Sequence, residues 1–221
     1  ERRRLEGRLT MSRVAVVPHF VEARPALPDR DASRSALGLA DKRVITLLGH
    51  VIKRRGHRLV IEALQDLPHD VFALFVGQPL MDREYMVEQF EEYARKLGVA
   101  DRVRFTGFVP EAELEQILAA TDVSLSPYRY MSASGALSTL ISVGRPIVCS
   151  DLAQFHELLA MEPGSLHPFS PYRANAMAPV IAETLAQATP QPDARVTALA
   201  EQLSLPHTVE RYAQLYRAAA R

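Results

Sequence analysis

Two short segments carry side chains whose types and spacing suit chemistry on a phosphorylated ligand. The first is Gly49-His50-Val51-Ile52-Lys53-Arg54-Arg55-Gly56-His57-Arg58, which gathers basic charge behind an apolar run. A glycine at a strand end lets the backbone approach a phosphate, and an arginine fork matches phosphate oxygens two at a time. Taken by itself, such a run is more often a solvated basic loop ahead of an exposed helix. The second is Ser132-Ala133-Ser134-Gly135-Ala136-Leu137-Ser138-Thr139, small residues at a helix start. The first N–H groups of a helix have no intrahelical partner and lie at the positive end of its dipole, so they hold anions without a charged side chain. A flexible loop with a serine cap is the plainer alternative. The two gain weight together, because both follow strands of one sheet. Tyr128 and Tyr130, flanking Arg129, either wall a pocket over the second segment or simply pack beside Pro127.

Other chemistries lack their residues. His19, His50, His57 and His156 have no His-x-x-x-His or Cys-His spacing for zinc, so no metal is expected. No Gly-x-Ser-x-Gly elbow, Walker loop or Gly-x-Gly-x-x-Gly occurs, which removes the motifs of hydrolases, phosphate-loop ATPases and nicotinamide enzymes. The lone cysteine, Cys149, rules out an intrachain disulfide, reads as a core residue and fits a reducing, cytoplasmic setting. Twenty-six basic and 26 acidic residues cancel, so no global field draws the chain to nucleic acid, and a charged ligand must be held locally. No apolar stretch approaches the ~18 residues of a transmembrane helix. Three lysines against 23 arginines is a bias without functional weight.

The elements that must position these segments follow from periodicity. Val14–Val17, Val44–Leu48, Val71–Val76, Val103–Thr106, Val123–Ser126 and Pro146–Cys149 are short runs rich in Val and Ile, as expected of strands buried on both faces. Segments of helical period lie between them, at Arg58–Leu67, Asp82–Leu97, Glu111–Ala120 and Ala136–Val143. This alternation predicts an α/β fold with a parallel, Rossmann-like six-stranded sheet flanked by helices. From Leu152 onward the pattern predicts helices only, at Leu152–Ala160, Asn175–Ala186, Ala194–Leu203 and Thr208–Ala220, and Glu22–Arg34 reads as a loop.

In order, Val17-Pro18-His19, Leu48-Gly49 through Arg55-Gly56, Phe75-Val76-Gly77, Arg102 to Val109, Ala120 to Val123, and Ser134-Gly135 ahead of Gly144-Arg145-Pro146 resemble the C-terminal half of family 4 glycosyltransferases. The resemblance implies the C-terminal half of a GT-B fold, with residues 14–221 as the domain that binds a nucleotide-diphosphate sugar. Residues 1–13, which begin at Glu1 rather than Met, would then be a linker or the tail of a missing acceptor-binding N-terminal domain. It implies retention of anomeric configuration and no cofactor. Peripheral membrane attachment, if any, would belong to the missing half.

The resemblance also assigns residues. Arg55, with Lys53 near enough to substitute, would contact the diphosphate and stabilise charge on the leaving group. Gly49, His50, Ser134, Gly135, Ala136, Leu137, Ser138 and Thr139 would complete the donor site, with Phe108 and Val109 at the base. Glu157 matches a common acidic position whose role here is equally well structural. Many members carry two glutamates eight residues apart, the second on the ribose; counting back from Gly144 gives Met131 and Thr139, neither acidic. That departure keeps two further readings open: a non-catalytic nucleotide-sugar-binding module, and a GT-B sugar-nucleotide epimerase, which would need carboxylates in the cleft.

Overall fold

Six short parallel strands form the centre of a computed structural model that describes residues 15–81, 83, 85–131 and 133–219. They are β1 (Arg43–Leu48), β2 (Val71–Val76), β3 (Val103–Gly107), β4 (Val123–Ser126), β5 (Ile147–Ser150) and β6 (His167–Phe169). Their spatial order is β3-β2-β1-β4-β5-β6. The chain builds outward from β1 to β3, then returns to lay β4 against the other side of β1. The order therefore reverses between β1 and β4, and ligands of open α/β sheets bind beyond the carboxyl ends of the strands at such a reversal.

Nine α-helices flank the sheet among the described residues: α1 (Arg30–Leu37), α2 (His57–Ala63), α3 (Tyr85–Lys96), α4 (Glu111–Ala120), α5 (Gly135–Val143), α6 (Ala153–Met161), α7 (Ala174–Gln187), α8 (Ala194–Gln202) and α9 (Leu205–Ala219). Alternation along the strands splits the core in two. Ile45, Leu47, Phe75 and Val148 face α2 and α7 through Val60, Ile61, Met177 and Ile181. Ile147 and Cys149 turn the other way, toward Leu137, Ile141 and Phe155, while Val44 and Leu74 meet Ile117. Every residue of β2 is buried, which is why its sequence is an unbroken apolar run.

The amino edge of the sheet is tied by buried polar groups. Asp122 accepts the Val44 N–H at 2.7 Å and pairs with Arg30 and Arg34. Arg102 is 6% exposed and donates to four carbonyls, those of Val71 (3.1 Å), Leu64 (2.8 Å), Leu67 (3.2 Å) and Pro68 (2.7 Å).

The structure corrects three expectations. No strand forms at residues 15–17; Val16 is 54% exposed, and the first backbone pairing is at Val21, whose N–H donates to the Leu203 carbonyl at 2.8 Å. The sixth strand is instead β6, within the stretch expected to hold helices only. Third, the segment read as a loop runs into α1 from Arg30, opened by Asp29, which accepts from the Ala32 N–H at 2.8 Å, and closed beyond that segment by Gly38 in the left-handed region. The tail at residues 1–13, Val14 and Ser132 lie outside the described residues.

Candidate functional site

The loops after β1 and β4, neighbours across the reversal, are built into one another. Beyond β1 the backbone turns at Gly49, whose φ is 110°, and a Cβ there would collide with the Arg55 guanidinium. Gly56, at φ 88°, lies so close to the Pro127 carbonyl that a side chain would not fit. Between them a three-residue turn, Lys53–Arg55, carries the basic side chains, and the Arg54 carbonyl accepts from the Arg129 N–H at 2.9 Å.

This turn disperses the charge that the sequence concentrates. Arg58 points away from the site, bonding Glu62 at 2.9 Å and lying 4.4 Å over the Tyr93 ring. His57 is 1% exposed among Phe75, Phe90 and Phe105; burial, with repulsion from Arg55, drives its pKa down to about 3, so it is neutral at ordinary pH. Arg54 extends over Tyr130, while His50 and Lys53 are exposed at the rim. Of the charged side chains in this segment, only Arg55 turns inward.

The Arg55 guanidinium donates to the Leu48 carbonyl and rests 5.1 Å from the centroid of the Tyr128 ring. Its Nε is buried and has no hydrogen-bond partner among the described residues. Burial pushes its pKa down, yet a guanidinium keeps its charge in proteins. The result is a half-buried cation with donors still to be used.

Tyr128 continues the connection. It is 6% exposed, and its hydroxyl lies 2.7 Å from Ser134 Oγ. Ser134 is the N-cap of α5 and accepts from the Leu137 N–H at 3.2 Å. Gly135 and Ala136, the first residues of α5, present N–H groups that have no intrahelical partner. Arg55 and this helix end thus converge from two loops on either side of Tyr128.

A cleft of about 470 Å³ opens beside the same helix end, lined in part by His19, Arg24, Glu111, Gly135, Ser138 and Thr139. Arg24 and Glu111 form a 2.7 Å ion pair on its wall. His19 Nδ1 lies 2.8 Å from the Phe20 carbonyl and 3.1 Å from Ser138 Oγ. A carbonyl only accepts, so Nδ1 carries the proton and Ser138 Oγ can accept from it. Leu137 is buried in the core rather than in the cleft. Phe108 is 75% exposed and Val109 half-buried on the loop from β3 to α4. Glu157 is exposed on α6 and is not among the residues lining the cleft.

Sequence reasoning missed Arg24 and Glu111 as partners. They lie 87 positions apart, and no local pattern signals their meeting. Among the described residues, no three His, Cys, Asp or Glu side chains gather to hold a metal ion, and no helix is long and apolar enough to cross a membrane.

Three findings relate the chain to known proteins. The family model described as glycosyl transferases group 1 matches residues 42–189. The chain is 27% identical over 162 residues to the 2-deoxystreptamine glucosyltransferase of Streptomyces kanamyceticus, an alignment covering 69% of this chain but 41% of that enzyme. It thus spans less than half the length of that relative. Among solved structures, Anabaena Alr3699/HepE, crystallised with UDP and glucose, matches with a TM-score of 0.78 at 22% identity over 98% of this chain and 59% of that one. The C-terminal domain of a glycosyl transferase group 1 family protein from Francisella tularensis matches with a TM-score of 0.61 at 16% identity over 87% of this chain and 95% of that domain.

Proposed function

The chain belongs to the glycosyl transferases group 1 family as a C-terminal domain with the GT-B fold, and from that premise we propose that it binds the nucleotide-diphosphate sugar of a retaining glycosyltransferase. The observation that carries this reading is the half-buried Arg55 guanidinium, its Nε unpartnered, converging with the N-terminus of α5 beside the sheet's reversal point. A diphosphate supplies the acceptors both lack. The cleft beside Gly135 then takes the nucleoside, with Ser138 and Thr139 offering hydroxyls on its wall. The glucosyltransferase relative and the UDP- and glucose-bound neighbour support a sugar nucleotide as the ligand class.

In the mechanism that follows, negative charge grows on the diphosphate as the glycosidic bond breaks. Arg55 and the helix dipole stabilise that charge, and a preorganised donor acts most strongly in a water-poor site. The acceptor would be delivered across a cleft by a separate N-terminal domain, so this chain alone binds a donor without transferring it. A non-catalytic nucleotide-sugar-binding role is the second reading, favoured by Thr139 and Met131 where an acidic pair would stand.

Thermal shift with UDP-, GDP- and ADP-sugars tests the proposal. A ligand at 100 times its Kd adds about 2.7 kcal/mol of stability. Arg55→Ala is expected to weaken the best donor at least tenfold, while Arg95→Ala on the exposed face of α3 leaves it unchanged. No shift with any donor overturns the reading. Transfer or donor hydrolysis after joining the chain to an acceptor domain separates the enzyme from the binding module.

A further inference from the structure

We propose that Tyr128 is a positioning residue that makes Arg55 and the N-terminus of α5 act as one phosphate clamp. The inference rests on the donor-site reading above. Each arm has a single side-chain tie within its own segment, and Tyr128 joins the two. Arg55 has one carbonyl bond, to Leu48, and otherwise lies against the Tyr128 ring. On the other side, the Tyr128 hydroxyl meets Ser134 Oγ at 2.7 Å, and Ser134 caps α5. One side chain therefore sets the guanidinium by its ring face and the helix start by its hydroxyl.

Tyr128 is itself held firmly. Its carbonyl accepts from Ser150 Oγ at 2.5 Å, its N–H donates to the Ser126 carbonyl at 2.9 Å, and its ring packs on Phe155. The preceding carbonyl, of Pro127, accepts from the Tyr172 hydroxyl at 2.9 Å. An anchored aromatic in contact with both a guanidinium and a helix cap holds two donors in place before the ligand arrives, which lowers the ordering cost of binding.

The hydroxyl adds a donor as well as a position. Tyr128 and Ser134 share one hydrogen bond, which uses one of their two hydroxyl hydrogens, and Ser134 Oγ also accepts from the Leu137 N–H. Whichever oxygen donates, one O–H of the pair remains unused by that bond and free to donate to a phosphate oxygen. Phenylalanine would keep the ring under Arg55 and lose both this O–H arrangement and the tie to the cap.

The test is calorimetric titration of the 221-residue chain with UDP, GDP and ADP, taking forward the tightest and its nucleoside, the latter measured by ligand-observed NMR. Tyr128→Phe is expected to weaken the diphosphate about tenfold while changing nucleoside affinity less than twofold. Tyr128→Leu, which removes the ring, is expected to weaken it further and to make Arg55→Ala cost less than it does in the wild-type background. Diphosphate affinity unchanged in both Tyr128 variants, or equal losses for diphosphate and nucleoside, overturns the positioning role while Arg55→Ala still reports on the donor site. A wild-type chain that binds none of the three nucleotides overturns the donor reading itself.

Discussion

Arg55 and Arg102 are both arginines drawn out of water with no carboxylate partner among the described residues, yet they use their donors in opposite ways. Burial lowers the pKa of each. Arg102 spends its fork on four carbonyls from the chain between α2 and β2, so its charge is answered by the protein. Arg55 spends one donor, leans on an aromatic ring and leaves Nε unanswered. A buried polar group without a partner costs about 1–3 kcal/mol, more if charged. On the proposed donor-site reading, the contrast separates an arginine that stabilises a fold from one held ready for a ligand.

Perturbing each member separately tests that distinction. Arg102→Met strands four carbonyls and is expected to cost about 3 kcal/mol or more of stability in denaturant unfolding, with nucleotide affinity of the folded protein unchanged. A loss below 1 kcal/mol would erase the contrast. His57, two residues beyond Arg55, gives the next largest effect because it can shed its charge where Arg55 cannot. It is neutral in the fold down to a pKa of about 3 but protonates near 6.5 when unfolded, so acid favours the unfolded chain. Its contribution is intact above pH 6.5 and declines as the pH falls toward 3, by about 2 kcal/mol at pH 5. His57→Phe, fitting among three phenylalanines, is expected to flatten that acid limb in urea titrations at pH 5 and 7. Arg55→Ala should change stability by no more than about 1 kcal/mol, the worth of one cation–π contact, while impairing binding. Arg58→Ala, on a solvated face, is expected to shift stability by under ~0.5 kcal/mol and binding not at all.

The parts of the fold legible in the sequence were those where burial imposes a pattern. Val71–Val76 and Val44–Leu48 read as strands because both their faces are covered, and Glu111–Ala120 ends where it was expected. β6 escaped because it is three residues long with Pro168 at its centre, tolerated on an edge strand paired only with β5. α1 escaped because its buried residues include Ser33 and Arg34 rather than an apolar stripe; Arg34 is inside for Asp122, a partner 88 positions away. The apolar run at residues 15–17 was misleading for the converse reason, since hydrophobicity without a partner strand makes no ladder. At the site, the segments Gly49–Gly56 and Ser134–Thr139 were legible from glycine and small-residue chemistry. Which arginine of the basic run faces inward was a property of the turn, visible only once Gly49 and Gly56 had bent it.

The bond from Val21 to the Leu203 carbonyl joins residues at opposite ends of the described chain, and its consequence lies in the order of assembly. Closing so long a loop is entropically dear unless the intervening chain is already compact. β1, α2 and β2 need only short excursions to pair, whereas β4 must cross back over β2 and β3 to reach β1. Contact order therefore predicts that β1 pairs with β2 before β4 reaches β1, and that the two arms around Tyr128 meet only after that second pairing, an order that folding rates of variants in β2 and β4 would check.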